Sequence, residues 1–175
     1  MKLGFITLFT SFFIFSFTST IGAEPIDTHT DKFRLETYFL GKTKAWGIIE
    51  NRFGKNKFTH FEVDITGSWD GKILTLEEDF LYSSGRTDRR VWKISKTGEN
   101  TYSGTADDVI GVANGEILGN RFSWKYYMKL PIGKSVIKVK LDDKMWLQKN
   151  GVLINNAKIK KFGLKFADLT IFFIK

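Results

Sequence analysis

Carboxylates are the residues of this chain with the clearest capacity for chemistry. Glu77, Glu78 and Asp79 stand together, and Asp107-Asp108 and Asp142-Asp143 follow as adjacent pairs. Two carboxylates that face each other can divide acid and base roles in glycoside or ester hydrolysis, each tuned by its surroundings. Neighbours along a strand point to opposite faces, so no adjacent pair makes such a dyad by itself. Asp70, Asp107, Asp108, Asp142 and Asp143 fit strand ends and turns, and structural ion pairs perturb carboxylates as catalytic sites do. The two histidines, His29 and His60, lack the spacing of zinc ligands. Gly133-Lys134-Ser135 imitates the end of a phosphate loop, but Met128 stands where its first glycine belongs. With no Gly-x-Ser-x-Gly elbow either, these patterns assign no catalytic residue, no metal site and no cofactor.

The elements that would position any site are marked by turns. Asp70-Gly71, Ser84-Gly85, Thr97-Gly98, Asn114-Gly115, Gly119-Asn120, Gly133-Lys134 and Asn150-Gly151 recur about every ten residues, the spacing of consecutive β-hairpins. Between them the apolar period is two. Phe61, Val63 and Ile65 alternate with His60, Glu62 and Asp64, and Phe122, Trp124, Tyr126, Met128 and Leu130 alternate with Arg121, Ser123, Lys125, Tyr127 and Lys129. Ile137, Val139 and Leu141 repeat the pattern, and Leu169 to Ile174 is apolar on both faces. Phe33, Leu35, Tyr38 and Phe39, stopped by Gly41, suggest a short amphipathic helix able to plug a barrel end. Nine or ten strands with one short N-terminal helix predict an all-β fold, an antiparallel up-and-down barrel of the calycin (lipocalin) type, because closure removes exposed edges.

One hairpin, Ile73 to Lys96 turned at Ser84-Gly85, carries charge on its apolar face. Leu74, Leu76, Phe80 and Tyr82 are interrupted by Glu78, and the returning strand answers with Trp92, Ile94 and Arg90. Either register allowed by that turn sets Glu78 opposite Arg90 or one diagonal step away, which predicts a buried ion pair. Arg90 is then a candidate to grip the acid head of a ligand. Trp92, Trp124, Tyr126 and Met128 are candidates for the lining of an internal apolar cavity, since a barrel of this size can hold a small ligand as well as a core.

Lys2, the uncharged apolar run Leu3 to Phe17 and the small residues ending at Ala23 have the form of a secretory signal peptide cleaved after Ala23. Residues 24–175 then form one domain. Cysteine is absent, which excludes a disulfide framework and a lipid-bearing N-terminal cysteine. The net charge of +8 would suit nucleic acid, but export opposes that partner. Lys158, Lys160, Lys161 and Lys165, the densest basic stretch, better match anionic headgroups at an envelope surface.

Phe39-x-Gly41, Ala45-Trp46-Gly47, Gly67-x-Trp69-Asp70-Gly71, Leu76-x-Glu78-Asp79-Phe80-x-Tyr82, Arg90-x-Trp92, Tyr102-x-Gly104-x-Ala106-Asp107-Asp108-Val109-x-Gly111 and Lys161-Phe162-Gly163 together carry a family likeness. The chain resembles the bacterial domain-of-unknown-function family 3833 over nearly all of the region after the leader. That resemblance implies envelope lipoproteins of unassigned activity, often encoded beside genes for fatty-acid modification, and supplies no catalytic residues. The missing lipobox cysteine favours a soluble periplasmic form. The expectation is a monomeric periplasmic barrel that binds or carries a fatty acid or lipid. Its alternatives are a small outer-membrane barrel and a hydrolase or isomerase acting on lipid through inward carboxylates.

Overall fold

A computed structural model describes residues 33–54, 57–133 and 135–175; the expected leader and polar tail lie outside them. The chain enters through a single helical turn, α1 (Leu35–Tyr38), and then runs as a meander of β1 (Gly41–Asn51), β2 (Phe58–Trp69), β3 (Ile73–Tyr82), β4 (Thr87–Lys96), β5 (Thr101–Thr105), β6 (Val109–Leu118), β7 (Arg121–Ile132), β8 (Ser135–Leu147), β9 (Leu153–Lys161) and β10 (Leu164–Ile174). Each strand pairs antiparallel with the next, and β10 returns to β1, so the sheet is a closed barrel. The expected fold class is the observed one, with ten strands.

Period-two alternation decides which face of each strand is buried. Phe61, Val63 and Ile65 of β2 and Phe122, Trp124, Tyr126 and Met128 of β7 point inward and are buried, whereas Glu62, Asp64, Lys125 and Lys129 are exposed outside. On these two strands, charge outside and apolar residues inside are the reverse of the apolar band that a membrane-spanning barrel turns to lipid, whereas β1 and β10 expose Trp46, Ile48, Phe172 and Ile174 outside.

One sequence expectation fails here. Asn114-Gly115 is not a turn but lies within β6, and the β5–β6 connection falls at Ala106 to Asp108. Gly115 sits there because the rings of β7 press on that strand: a Cβ would stand 2.5 Å from Phe122 and 2.8 Å from Trp124. The glycine therefore reports close packing rather than chain reversal.

The helical turn closes one end of the barrel, as its apolar residues suggest. Phe33, Leu35, Tyr38 and Phe39 are all buried, each burial worth about 2 kcal/mol. The Tyr38 hydroxyl donates to a backbone carbonyl, with those of Gly151 and Phe173 both 3.1 Å away. Glu36 accepts from Lys96 Nζ at 2.6 Å and from the Tyr102 hydroxyl at 2.7 Å, which ties the plug to the β4–β5 side. On β2, Gly67 passes beneath the plug, where a Cβ would lie 1.9 Å from the Phe39 carbonyl oxygen. Gly67→Ala should displace the plug and cost about 3 kcal/mol in urea unfolding; a loss below about 0.5 kcal/mol would show that the plug is not seated there.

Candidate functional site

The inward faces leave a cavity of about 160 Å³, lined by aromatic and aliphatic side chains from Leu35 and Phe39 at the plug to Phe80, Tyr82 and Leu130 toward the opposite end. Glu78, Arg90, Trp92, Trp124, Tyr126 and Met128, the six residues singled out from the sequence, all lie on its wall. An aromatic ladder forms much of that wall. The Trp92 and Trp124 rings stand 4.6 Å apart, and Tyr126 meets both edge-on at 5.5 and 5.4 Å. Gly104 on β5 admits the two indoles, since a Cβ there would lie 3.1 Å from Trp124 and 3.3 Å from Trp92.

The register of the β3–β4 hairpin sets Glu78 directly opposite Arg90, but the ion pair differs from expectation. Arg90 Nη1 lies 3.9 Å from Glu78 Oε2, a contact without hydrogen-bond geometry. The short bonds go to Asp108 Oδ2, at 3.0 Å from Nε and 2.7 Å from Nη2. This partner comes from a gap in the wall. β5 has five residues and pairs only with Lys93 to Lys96 of β4, so the first half of β4 has no neighbour on that side. The β5–β6 turn folds across the opening and delivers Asp108 to Arg90. The Glu78 side chain is 14% exposed and that of Arg90 28%.

Asp143 corrects the placement of Asp142-Asp143 at a strand end. Both lie within β8, and Asp143 points inward at 5% exposure. Its Oδ2 accepts from Trp124 Nε1 at 3.1 Å, and its Oδ1 accepts a short hydrogen bond from Asn155 Nδ2. Asn155 is itself buried and lies within 3.1 Å of the Lys144 carbonyl. Sequence reasoning placed Asp143 at a strand end and gave Asn155 no site role, although extending the alternation Ile137, Val139, Leu141 by one step reaches Asp143, and Leu153, Ala157 and Ile159 bracket Asn155 in the same way. Asp108 left no such trace, because its contact crosses a missing strand pairing.

Two carboxylates, Glu78 and Asp108, thus flank one guanidinium in an apolar barrel, and a third, Asp143, is influenced by its charge. Burial raises Glu78 to about 7; Arg90 pulls it down, and Asp108 and Asp143 push it up. Burial raises Asp143 to about 6 against the hydrogen bonds of Trp124 and Asn155. Burial disfavours the charge of Arg90, but Glu78 and Asp108 outweigh it and hold its proton more firmly than usual. Arg90 is therefore already satisfied, and the cluster has spare acceptors rather than a spare cation.

A family model described as Protein of unknown function (DUF3833) matches residues 11–175. The chain belongs to this family. No curated protein matches it. Among solved structures, the DUF3833 barrel is similar to the S-type phycobiliprotein lyase CPES from Guillardia theta, with a TM-score of 0.54 and 8% identity over 79% of this chain and 87% of that one. At that identity the likeness concerns the fold alone.

The charge cluster of the DUF3833 barrel has a consequence for its pH response. Between the ordinary carboxyl value of 4.5 and about 7, folded Glu78 keeps a proton that the unfolded chain has lost. Its contribution to stability therefore falls as pH rises through that window, by roughly 3 kcal/mol, and is level above it. Urea melts from pH 4.5 to 8 should show Glu78→Gln flattening this decline relative to wild type. An identical slope in both proteins would contradict a buried, proton-retaining Glu78. Arg90→Ala, which strands Glu78 and Asp108, should cost about 3 kcal/mol at pH 8.

Proposed function

We propose that this protein binds a small apolar molecule, of the fatty-acid or lipid class, inside its barrel, and that it does so in the periplasm. The observation that carries the reading is the cavity itself, apolar along most of its wall, closed by α1 at one end and holding a few convergent polar groups, the usual composition of a ligand site. Its volume of about 160 Å³ bounds what fits. An apolar space of about 150 Å³ accepts a benzene-sized molecule, whereas pockets for drug-sized ligands run to about 300 Å³ and more. A ring or a short stretch of chain fits within. The rest of a longer acyl chain extends through the end opposite the plug. The export-type leader and the charged outer faces of β2 and β7 support a periplasmic location.

The polar groups bear on the ligand's head. Because Arg90 is bonded to Asp108 and faced by Glu78, a carboxylate head would enter a surplus of carboxylates, whereas an alcohol or amine would find acceptors in Glu78 and Asp108. A second reading, acid–base chemistry on a bound lipid, is favoured by one observation: Glu78, on the cavity wall, is shifted to about 7, the range a general acid or base uses. Asp143 is less suited, since Trp124 and Asn155 occupy its oxygens.

Displacement of an environment-sensitive apolar dye by acids, alcohols and amines of matched chain length tests the binding reading. Saturable displacement is expected, with the alcohol or amine at least as effective as the acid. No saturable displacement at any chain length would overturn it. Hydrolysis of a fatty ester by wild type, abolished in Glu78→Gln, would establish the second reading.

A further inference from the structure

The end of the barrel opposite α1 has a surface that neither the core nor the cavity explains. Three hairpins adjacent around the rim, β1–β2, β9–β10 and β7–β8, carry large apolar side chains into solvent at or beside their tips. Phe53 and Phe58 are each 59% exposed, Ile132 and Val136 40% and 65%, and Leu164 and Phe162 71% and 93%. The first two hairpins are joined directly: the Phe53 ring lies 6.2 Å from Phe166, and the Arg52 amide donates to the Phe166 carbonyl at 3.0 Å.

Phe162 is the most informative of them. It is the only described non-glycine residue in the left-handed region, with φ of 52°, and with Gly163 at 77° it forms a two-residue turn. Such turns favour Asn, Asp or Gly at the first position, and a bulky residue there costs about 1 kcal/mol or more. A strained position is therefore occupied by a phenylalanine that the folded chain leaves almost wholly in water.

Below these tips the outer wall is basic, and its lysines face one another. Lys129 of β7 stands opposite Lys138 of β8, Lys140 of β8 opposite Lys160 of β9, and Lys160 again opposite Lys165 of β10. Like charges in register across strands repel. Lys165 is partly relieved by Asp168 at 2.5 Å, and Lys138 lies over the Tyr127 ring at 4.4 Å. The other side of the rim differs, since there Arg89 is paired with Glu77 and Asp79, and Arg86 with Asp88.

We infer that this arc docks on the surface of an anionic lipid bilayer, with Phe162, Leu164 and the neighbouring apolar tips entering the headgroup region and the lysine rows meeting lipid phosphates. The two features answer one partner: exposed apolar side chains gain by leaving water, and each lysine near an anionic surface adds about 1 kcal/mol, about fivefold in affinity. Docked in this way, the barrel turns its unplugged end toward the membrane. The inference stands apart from ligand binding, because none of the residues it names lines the cavity.

Flotation with vesicles of phosphatidylglycerol and phosphatidylcholine in equal parts, against phosphatidylcholine alone, tests it on the protein as its host processes it. The expected result is flotation with the anionic vesicles, weakened by salt and weak with the neutral ones. Phe162→Asn suits the turn better and should unfold at a urea concentration no lower than wild type, yet bind about tenfold more weakly. Lys129→Gln should weaken binding about fivefold. Leu118→Ser, at an exposed leucine of the plugged end, should bind as wild type does. Absence of flotation with anionic vesicles, or equal flotation by wild type and Phe162→Asn, would overturn the inference. So would a dimer in solution that Phe162→Asn dissociates without any vesicle binding, since the occupant would then be a second copy of the chain.

Discussion

β1 and β10 pair from Lys44 to Asn51 and from Ala167 to Ile174, and on that seam the rest of the structure depends. Closing the sheet removes two strand edges and forces the inward face of all ten strands into a common interior. Residues that would be half-wet on an open sheet, such as Ile49, Leu169 and Ile171, become cavity wall. The helical turn before β1 acts from the same constraint, because a closed barrel still has two ends. Phe33 to Phe39 fill one of them, and the cavity is what remains between that plug and the other end.

Charge inside such an enclosure must be matched within it. Isolated buried ions are costly, and a pair is tolerated only when geometry and hydrogen bonds compensate for lost water. The barrel meets this condition unevenly. Asp143 is held by Trp124 and Asn155, and Arg90 is held by Asp108, but Glu78 approaches Arg90 no nearer than 3.9 Å. Burial raises both carboxyls, and hydrogen bonds from Trp124 and Asn155 oppose it at Asp143, whereas at Glu78 the opposition comes from the charge of Arg90. Glu78 is the less tightly held of the two raised carboxyls on the cavity wall.

Much of this was legible from residue order, for physical reasons. Period-two alternation fixed the inward sets of β2, β3, β4 and β7, and one tight turn at Ser84-Gly85 sufficed to bring Glu78 opposite Arg90. Residues between close-packed strands could mislead: Asn114-Gly115 has the chemistry of a turn, but Gly115 is small because Phe122 and Trp124 lie against it. Asp108 was illegible for a different reason. Its bond to Arg90 depends on β5 being too short to cover β4, a property of the assembled wall rather than of any local pattern. Asp143 lay within reach of the alternation but was read through its neighbour Asp142 as a strand-end pair.

The central claim is that a small molecule occupies the space beside Trp124 and Glu78. Met128 and Met145 both line that space, and the chain's third methionine is Met1. Methyl NMR of protein labelled at the methionine methyl carbons, during titration with a long-chain alcohol, therefore reads the cavity directly. Saturable shifts of the Met128 and Met145 methyls, with cross-relaxation to the alkyl chain, are the expected result. Unmoved Met128 and Met145 resonances at concentrations where the alcohol demonstrably binds the protein would place the ligand outside the barrel and contradict the claim.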